Sequence, residues 1–163
     1  MNSKKYYAGI SKGYNELYGE EQQAKYEIIK EYIQGKVLDV GCGTGIITKQ
    51  ILDAVGLDNS WEMLSQYEGE KELADAHEIP FPDKSFDTAI SLTVLQDVEK
   101  PEIVLKEMKR VGKKVIFSIL HKGKWTEEKL RELIKSAGLI GEIKKNEKDW
   151  FFIEETKKKI KKV

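Results

Sequence analysis

Residues 36–45 read KVLDVGCGTG, Lys36 to Gly45. The short apolar run around Asp39 has the length of a buried strand rather than of a helix. It leads directly into Gly41, Gly43 and Gly45, and glycine both takes left-handed backbone and lets a ligand approach the main chain closely. A helix over about 46–53 is expected next, with amides at its N-terminus able to attract a carboxylate or a phosphate. Many α/β proteins use such a turn, but its spacing narrows the ligand. The dinucleotide fingerprint needs glycine at 46, where this chain has Ile46. A phosphate loop needs Gly-Lys-Ser/Thr, and no lysine follows Gly45. A ligand with a carboxylate and a nucleoside, and without a polyphosphate, is what remains.

Outward from this turn, strands and helices alternate. A helix is predicted over about 20–34, with Tyr26, Ile29 and Ile33 on one stripe and Gly35 as its stop. AVGLD (54–58) is a second strand, and Ser60 caps a helix covering WEMLSQY. KELADA (71–76) and the mostly apolar FDTAISL (86–92) are the third and fourth strands. Pro101 suits the first turn of a helix over 101–111, closed by Gly112, and KVIFSIL (114–120) is the fifth strand. Thr126 caps a helix with Leu130, Leu133, Ile134 and Ala137 at helical spacing, ended by Gly138. Two strands, about 140–145 and 149–155, read as a hairpin around Asn146 and Glu147. The expected architecture is one α/β domain over 1–163: a doubly wound, Rossmann-like seven-stranded sheet, mostly parallel, with an antiparallel C-terminal hairpin strand.

Two acids lie at the carboxyl ends of strands. Asp58 closes the second strand, where an acid accepts hydrogen bonds from ribose hydroxyls in doubly wound folds. Asp75 closes the third; an ionised carboxylate is acceptor-only and suits an exocyclic amine such as adenine N6.

The remaining composition mostly excludes. Lysine plus arginine and aspartate plus glutamate each total 28, so no net charge points to nucleic acid or membrane. Only Arg110 and Arg131 are arginines; the Lys/Glu bias fits a heat-adapted proteome or a low-GC genome. The single cysteine, Cys42, rules out an internal disulfide and reads as a small packed residue. His77 and His121 have no metal-ligand spacing, so no metal is expected. No stretch has the length of a signal or membrane segment, and a cytoplasmic location is expected.

VLDVGCGTG, GLDNSWEML and ADAHEIPFPDKSFDTAISLTVLQDVEKPEIVLKEMKRV, in that order, resemble the class I S-adenosylmethionine-dependent methyltransferases of the ubiquinone-biosynthesis-like (methyltransferase type 11) group. The resemblance spans about residues 36–120 and implies an S-adenosylmethionine cofactor. It implies that Gly41, Gly43 and Gly45, after Asp39, hold the methionine end, that Asp58 with Asn59 holds the ribose, and that Asp75 and Ala76 frame the adenine. Leu92 is implied as a backbone contact near the sulfonium. Tyr7 and Tyr14 resemble an entry segment that folds over the cofactor, giving residues 1–20 a covering role.

The chain departs from the group in three places. Asp58 comes only 13 positions after Gly45, VGKK replaces a Pro-Gly-Gly run, and Gln96 and Asp97 stand where relatives often carry histidines. No Asn/Asp-Pro-Pro-Tyr tetrapeptide follows strand four. IPFPDKSFD reads as packing, through Phe81 and Phe86.

A sulfonium methyl is already activated, so alignment of the acceptor is the protein's main task. Tyr14, Asp97 and His121 are the candidate bases should one be needed. With little beyond a core fold, an RNA or protein acceptor is the first expectation, helped by the lysine-rich tail 156–163 or by a small activating subunit. A small-molecule acceptor and a non-catalytic partner subunit are the alternatives.

Overall fold

Val37–Val40 forms β1, an interior strand of the sheet buried along its whole length. A computed structural model of the chain describes residues 14–156. β1 pairs in parallel with β2 (Ala54–Asp58) on one side and with β4 (Phe86–Leu92) on the other. β3 (Lys71–Leu73) lies outside β2, and β5 (Gly112–Leu120) follows β4 in parallel. The hairpin of β6 (Gly141–Lys145) and β7 (Asp149–Glu154) completes the sheet, with β7 antiparallel to β5. The order β3-β2-β1-β4-β5-β7-β6 is the doubly wound, mostly parallel arrangement expected.

Alternation along the strands divides the core between two faces. Leu38, Val55, Ala89, Val115, Phe117 and Phe152 face the helices later in the chain. Those helices bury Val104, Leu105 and Met108, and Leu130 and Leu133. The opposite face buries Val37, Ile90, Ile116 and Phe151 beneath Ile29 of the first helix. Among the described residues no helix is long and apolar enough to cross a membrane.

The elements differ from expectation mainly at their ends. The first helix, α1, runs over Tyr14–Ile29 and then tightens into a 3₁₀ turn at Lys30–Tyr32, rather than spanning 20–34. Gly35 makes the turn into β1 at φ +59°, and a Cβ there would meet the Asp87 carboxylate, which accepts the Lys36 N–H.

The helix expected over 46–53 is absent; only a 3₁₀ turn, Thr48–Gln50, stands there. Eight residues must recross the length of β1, roughly 13 Å at strand rise, and a helix would need about nine to cover it. The helix after Ser60, α2, stops at Trp61–Leu64, and Tyr67 then places its ring across Gly45 and Gly56. β3 ends at Leu73 rather than at 76, because the Asp75 carboxylate accepts the His77 N–H and pulls the chain off the sheet.

Pro101 does open α3 (Pro101–Val111), and Thr126 caps α4 (Glu127–Ser136) by accepting the Lys129 N–H. Gly112 closes α3 in extended backbone and begins β5 at once; a Cβ there would press on Ala89 of β4. Arg110 organises the segment before β4, donating to the Ile79 and Phe81 carbonyls and to Glu107 and Asp83. Phe81 and Phe86 pack edge to face at 5.1 Å, as expected of packing residues.

Candidate functional site

The carboxyl ends of β1, β2, β3 and β4 open into one cleft, with about 1060 Å³ of empty space counting the solvent at its mouth. Sheets of this winding place a ligand there, where the strand order reverses. Asp39, Gly41, Gly43, Asp58, Asn59, Asp75, Ala76, Leu92 and Asp97, all singled out from the sequence, line it.

Gly41, Gly43 and Gly45 have φ of +76°, +59° and +82°. A Cβ at Gly41 would strike Val94 at 2.6 Å, and one at Gly45 would strike Tyr67 at 2.5 Å. These positions therefore need glycine for both backbone and space. Gly45 lies behind the cleft wall, against Tyr67, and not on its surface.

The expected anion site at a helix N-terminus is not formed. Only a 3₁₀ turn follows, at Thr48–Gln50, and the amides of Gly41, Cys42, Gly43 and Gly45 are engaged inside the protein. Gly41 and Cys42 N–H both donate to the Leu57 carbonyl, at 2.7 and 3.0 Å, and Gly45 N–H donates to that of Cys42. The Gly43 N–H donates to Asp58 Oδ2 at 2.9 Å. The turn offers a ligand a shaped surface and nearby acids instead of a row of open amides.

Three of those acids have distinct settings. Asp39 is buried beneath the turn and accepts from the Thr48 hydroxyl at 2.8 Å. Burial pushes its carboxyl up to about 7, the Thr48 bond opposing and the Asp58 charge adding to the rise. Asp58 accepts from Gly43 and, through Oδ1, from the Ser60 N–H at 2.9 Å. An ionised carboxylate is acceptor-only, the chemistry that ribose hydroxyls require of a partner. Asp75 is exposed, and the His77 amide and then the His77 ring hold its carboxyl below the ordinary range. Cys42 also lines the cleft; burial pushes its thiol upward, away from nucleophilic use, and its sulfur packs on Gly56.

Leu92 is the last residue of β4, and Thr93 follows it at φ +55°, a position rare for a β-branched residue. Ser118 and Asp149 hold Thr93 there. Its N–H donates to Ser118 Oγ at 2.8 Å, and its hydroxyl donates to Asp149 Oδ1 at 3.2 Å. Asp149 is fully buried, with Lys25 of α1 at 3.6 Å from Oδ2. Burial raises the Asp149 carboxyl, and Lys25 and Thr93 counter that rise. One turn before Lys25, Gln22 reaches the cleft, so α1 forms part of its wall.

Of the candidate bases, Asp97 is exposed at the cleft, with Gln96 donating to it at 3.2 Å. His121 is not brought there: its ring lies against Trp150 and its Nε2 is 3.1 Å from the Asn146 carbonyl. Residues 1–13 with Tyr7, the side chain of Tyr14 and the tail from 157 onward lie outside the described residues. Sequence reasoning missed Gln22, Met63, His77 and Thr93. Gln22 carries no apolar signal, and Thr93 is marked only by its backbone.

Residues 38–115 match the family described as "Methyltransferase domain". An uncharacterised protein of Methanocaldococcus jannaschii is 37% identical over 69% of this chain and 48% of its own length. The demethylmenaquinone methyltransferase of Thermotoga maritima is 35% identical over 58% of this chain and 48% of its own length. The chain thus spans about half the length of the curated relatives it matches. A Haloferax volcanii putative methyltransferase, solved in complex with a methyltransferase activator, has the same fold at a TM-score of 0.67. That match is 19% identical and covers 89% of this chain and 79% of the other. The glycine turn, the acids at the ends of β1 and β2 and just past β3, the matched methyltransferase domain and these relatives together support a class I S-adenosylmethionine-dependent methyltransferase of the methyltransferase type 11 group.

Proposed function

We propose that this chain transfers the methyl group of S-adenosylmethionine, by direct in-line displacement, to a small acceptor that is uncharged or cationic. The observation that carries the acceptor class is the lining of the cleft. Asp58, Asp75 and Asp97 face it, and no lysine or arginine does among the described residues. A phosphodiester backbone would be repelled there, since recognition of such backbones rests on neutralising their charge.

The residues present fit the cofactor. In this reading Asp39 would take the α-ammonium, Asp58 the ribose and Asp75 the adenine amine, and Leu57, Met63, Ala74 and Ala76 supply an apolar lining. S-adenosylmethionine supplies a methyl group already activated by its sulfonium. The chain's own task is alignment, which contributes up to about 7–11 kcal/mol in the best-oriented cases. Leu92 and Thr93 form the wall at the β4 end, and Asp97 is the candidate base at the cleft if the acceptor carries a proton. A base is needed only when that proton is of high pKa.

A second reading has a protein or RNA acceptor and a small activating subunit that completes the site. The activator in the Haloferax volcanii complex favours it.

Labelled cofactor incubated with cell extract separates the readings. Label extractable into organic solvent and resistant to both nuclease and protease supports a small acceptor. Label removed by either enzyme replaces that reading with the second. No transferred label, with cofactor binding measured in the same preparation, points to a non-catalytic subunit.

A further inference from the structure

We infer that His77 is a positioning residue for cofactor binding: as an imidazolium it clasps Asp75 to the segment before α3 and so sets the adenine-recognising carboxylate. This rests on the reading of Asp75 as the adenine contact.

Asp75 Oδ1 accepts both the His77 N–H, at 2.8 Å, and His77 Nδ1, at 2.6 Å. On the other side of the ring, Nε2 meets the main-chain carbonyl of Glu99, 22 residues further along. Both neighbours are oxygens with no hydrogen to give. Neutral imidazole has one N–H and can satisfy only one of them; the doubly protonated ring satisfies both.

The charged groups facing the ring are Asp75, from its own turn, and the carboxylate of Glu99, from the segment before α3. The bond to the Glu99 carbonyl is the largest influence and raises the His77 pKa above its ordinary value; desolvation, the next largest, opposes it, and the Asp75 bond and these two charges add to the rise. His77 lines the cleft, as do Asp97 and Val98 on the segment it grips. The clasp therefore closes the cleft across the ends of β3 and β4. With two donors on Oδ1, the open acceptor capacity of Asp75 is concentrated on Oδ2, as an exocyclic amine requires.

The test joins an NMR titration of the two histidine rings, with His121 as internal reference, to calorimetry with S-adenosylhomocysteine between pH 5.5 and 8.5. His77 should titrate above the ordinary histidine value, about 6.5, and Asp75→Asn should lower it. Wild type should bind S-adenosylhomocysteine about three- to tenfold more tightly than His77→Asn at low pH, the scale of one hydrogen bond. That ratio should fall toward one as pH passes the measured His77 value. Taking the ratio at each pH cancels the titration of Asp39, which both proteins share. A ratio that is flat with pH, or a His77 value indifferent to Asp75→Asn, overturns the clasp. If wild type binds no S-adenosylhomocysteine, the cofactor reading fails instead, and the clasp is decided by the titration of His77 with and without Asp75→Asn.

Discussion

Asp39 stands on a buried strand with the Thr48 hydroxyl as its hydrogen-bond donor, and it keeps its proton up to about pH 7. In the unfolded chain the same group releases its proton near 3.8. Between those values the folded state binds more protons than the unfolded one, so this residue makes stability fall as pH rises from about 4 to 7. The cost at the upper end is on the order of 4 kcal/mol. Asp39→Asn should remove this decline: the difference in urea midpoint between variant and wild type should grow in the variant's favour across that window. An unchanged difference would mean that Asp39 is ionised in the ligand-free protein. Part of this was legible from sequence, since an acid inside an apolar run must be either paired or functional. Its donor was not, because Thr48 was assigned to a helix that the short connection cannot hold.

Elements were legible where burial dictates them. β1, β2, β4 and β5 announce themselves as apolar runs, because a parallel sheet is covered on both faces. α3 and α4 do so through one buried stripe each. α1 is different: Ile29 and, unusually, Lys25 are buried on it. Its inner face therefore carries little hydrophobic period, and its start was misplaced. The Lys25–Asp149 pair fastens it to β7. Lys25→Met should cost about 3 kcal/mol by chemical denaturation, the low end for a buried half-pair because Asp149 can take up a proton. Lys25→Met with Asp149→Asn should cost less than the sum of the two single changes. Strict additivity would show that the pair does not couple the helix to the hairpin. At the segment before β4, Arg110→Lys should lose about 1–2 kcal/mol of stability, since one ammonium cannot serve Glu107, Asp83 and two carbonyls together. Cofactor affinity should not change, because Arg110 does not line the cleft.

At the scale of the whole molecule, the sheet brings together at one edge residues that lie far apart in sequence. Asp39, Asp58 and Asp75 meet because parallel strands end on the same side, which made the donor's place readable from spacing. The acceptor's side was less readable. It depends on where α1 lies, on the left-handed Thr93 and on the clasp of His77, none of which leaves a periodic trace in the sequence. An open fold suggests an RNA or protein acceptor; the acids of the cleft support the small acceptor proposed above instead. A ligand that binds only the folded chain must also stabilise it, so S-adenosylmethionine at a hundred times its Kd should raise the unfolding free energy by about 2.7 kcal/mol.

Calorimetric titration of S-adenosylmethionine into wild type and Asp58→Ala tests the central claim most directly. One site per chain is predicted for wild type, weakened about 10- to 150-fold by the substitution, as expected when a charged hydrogen-bond acceptor is lost. No binding to wild type, or equal affinity in the two proteins, would contradict it.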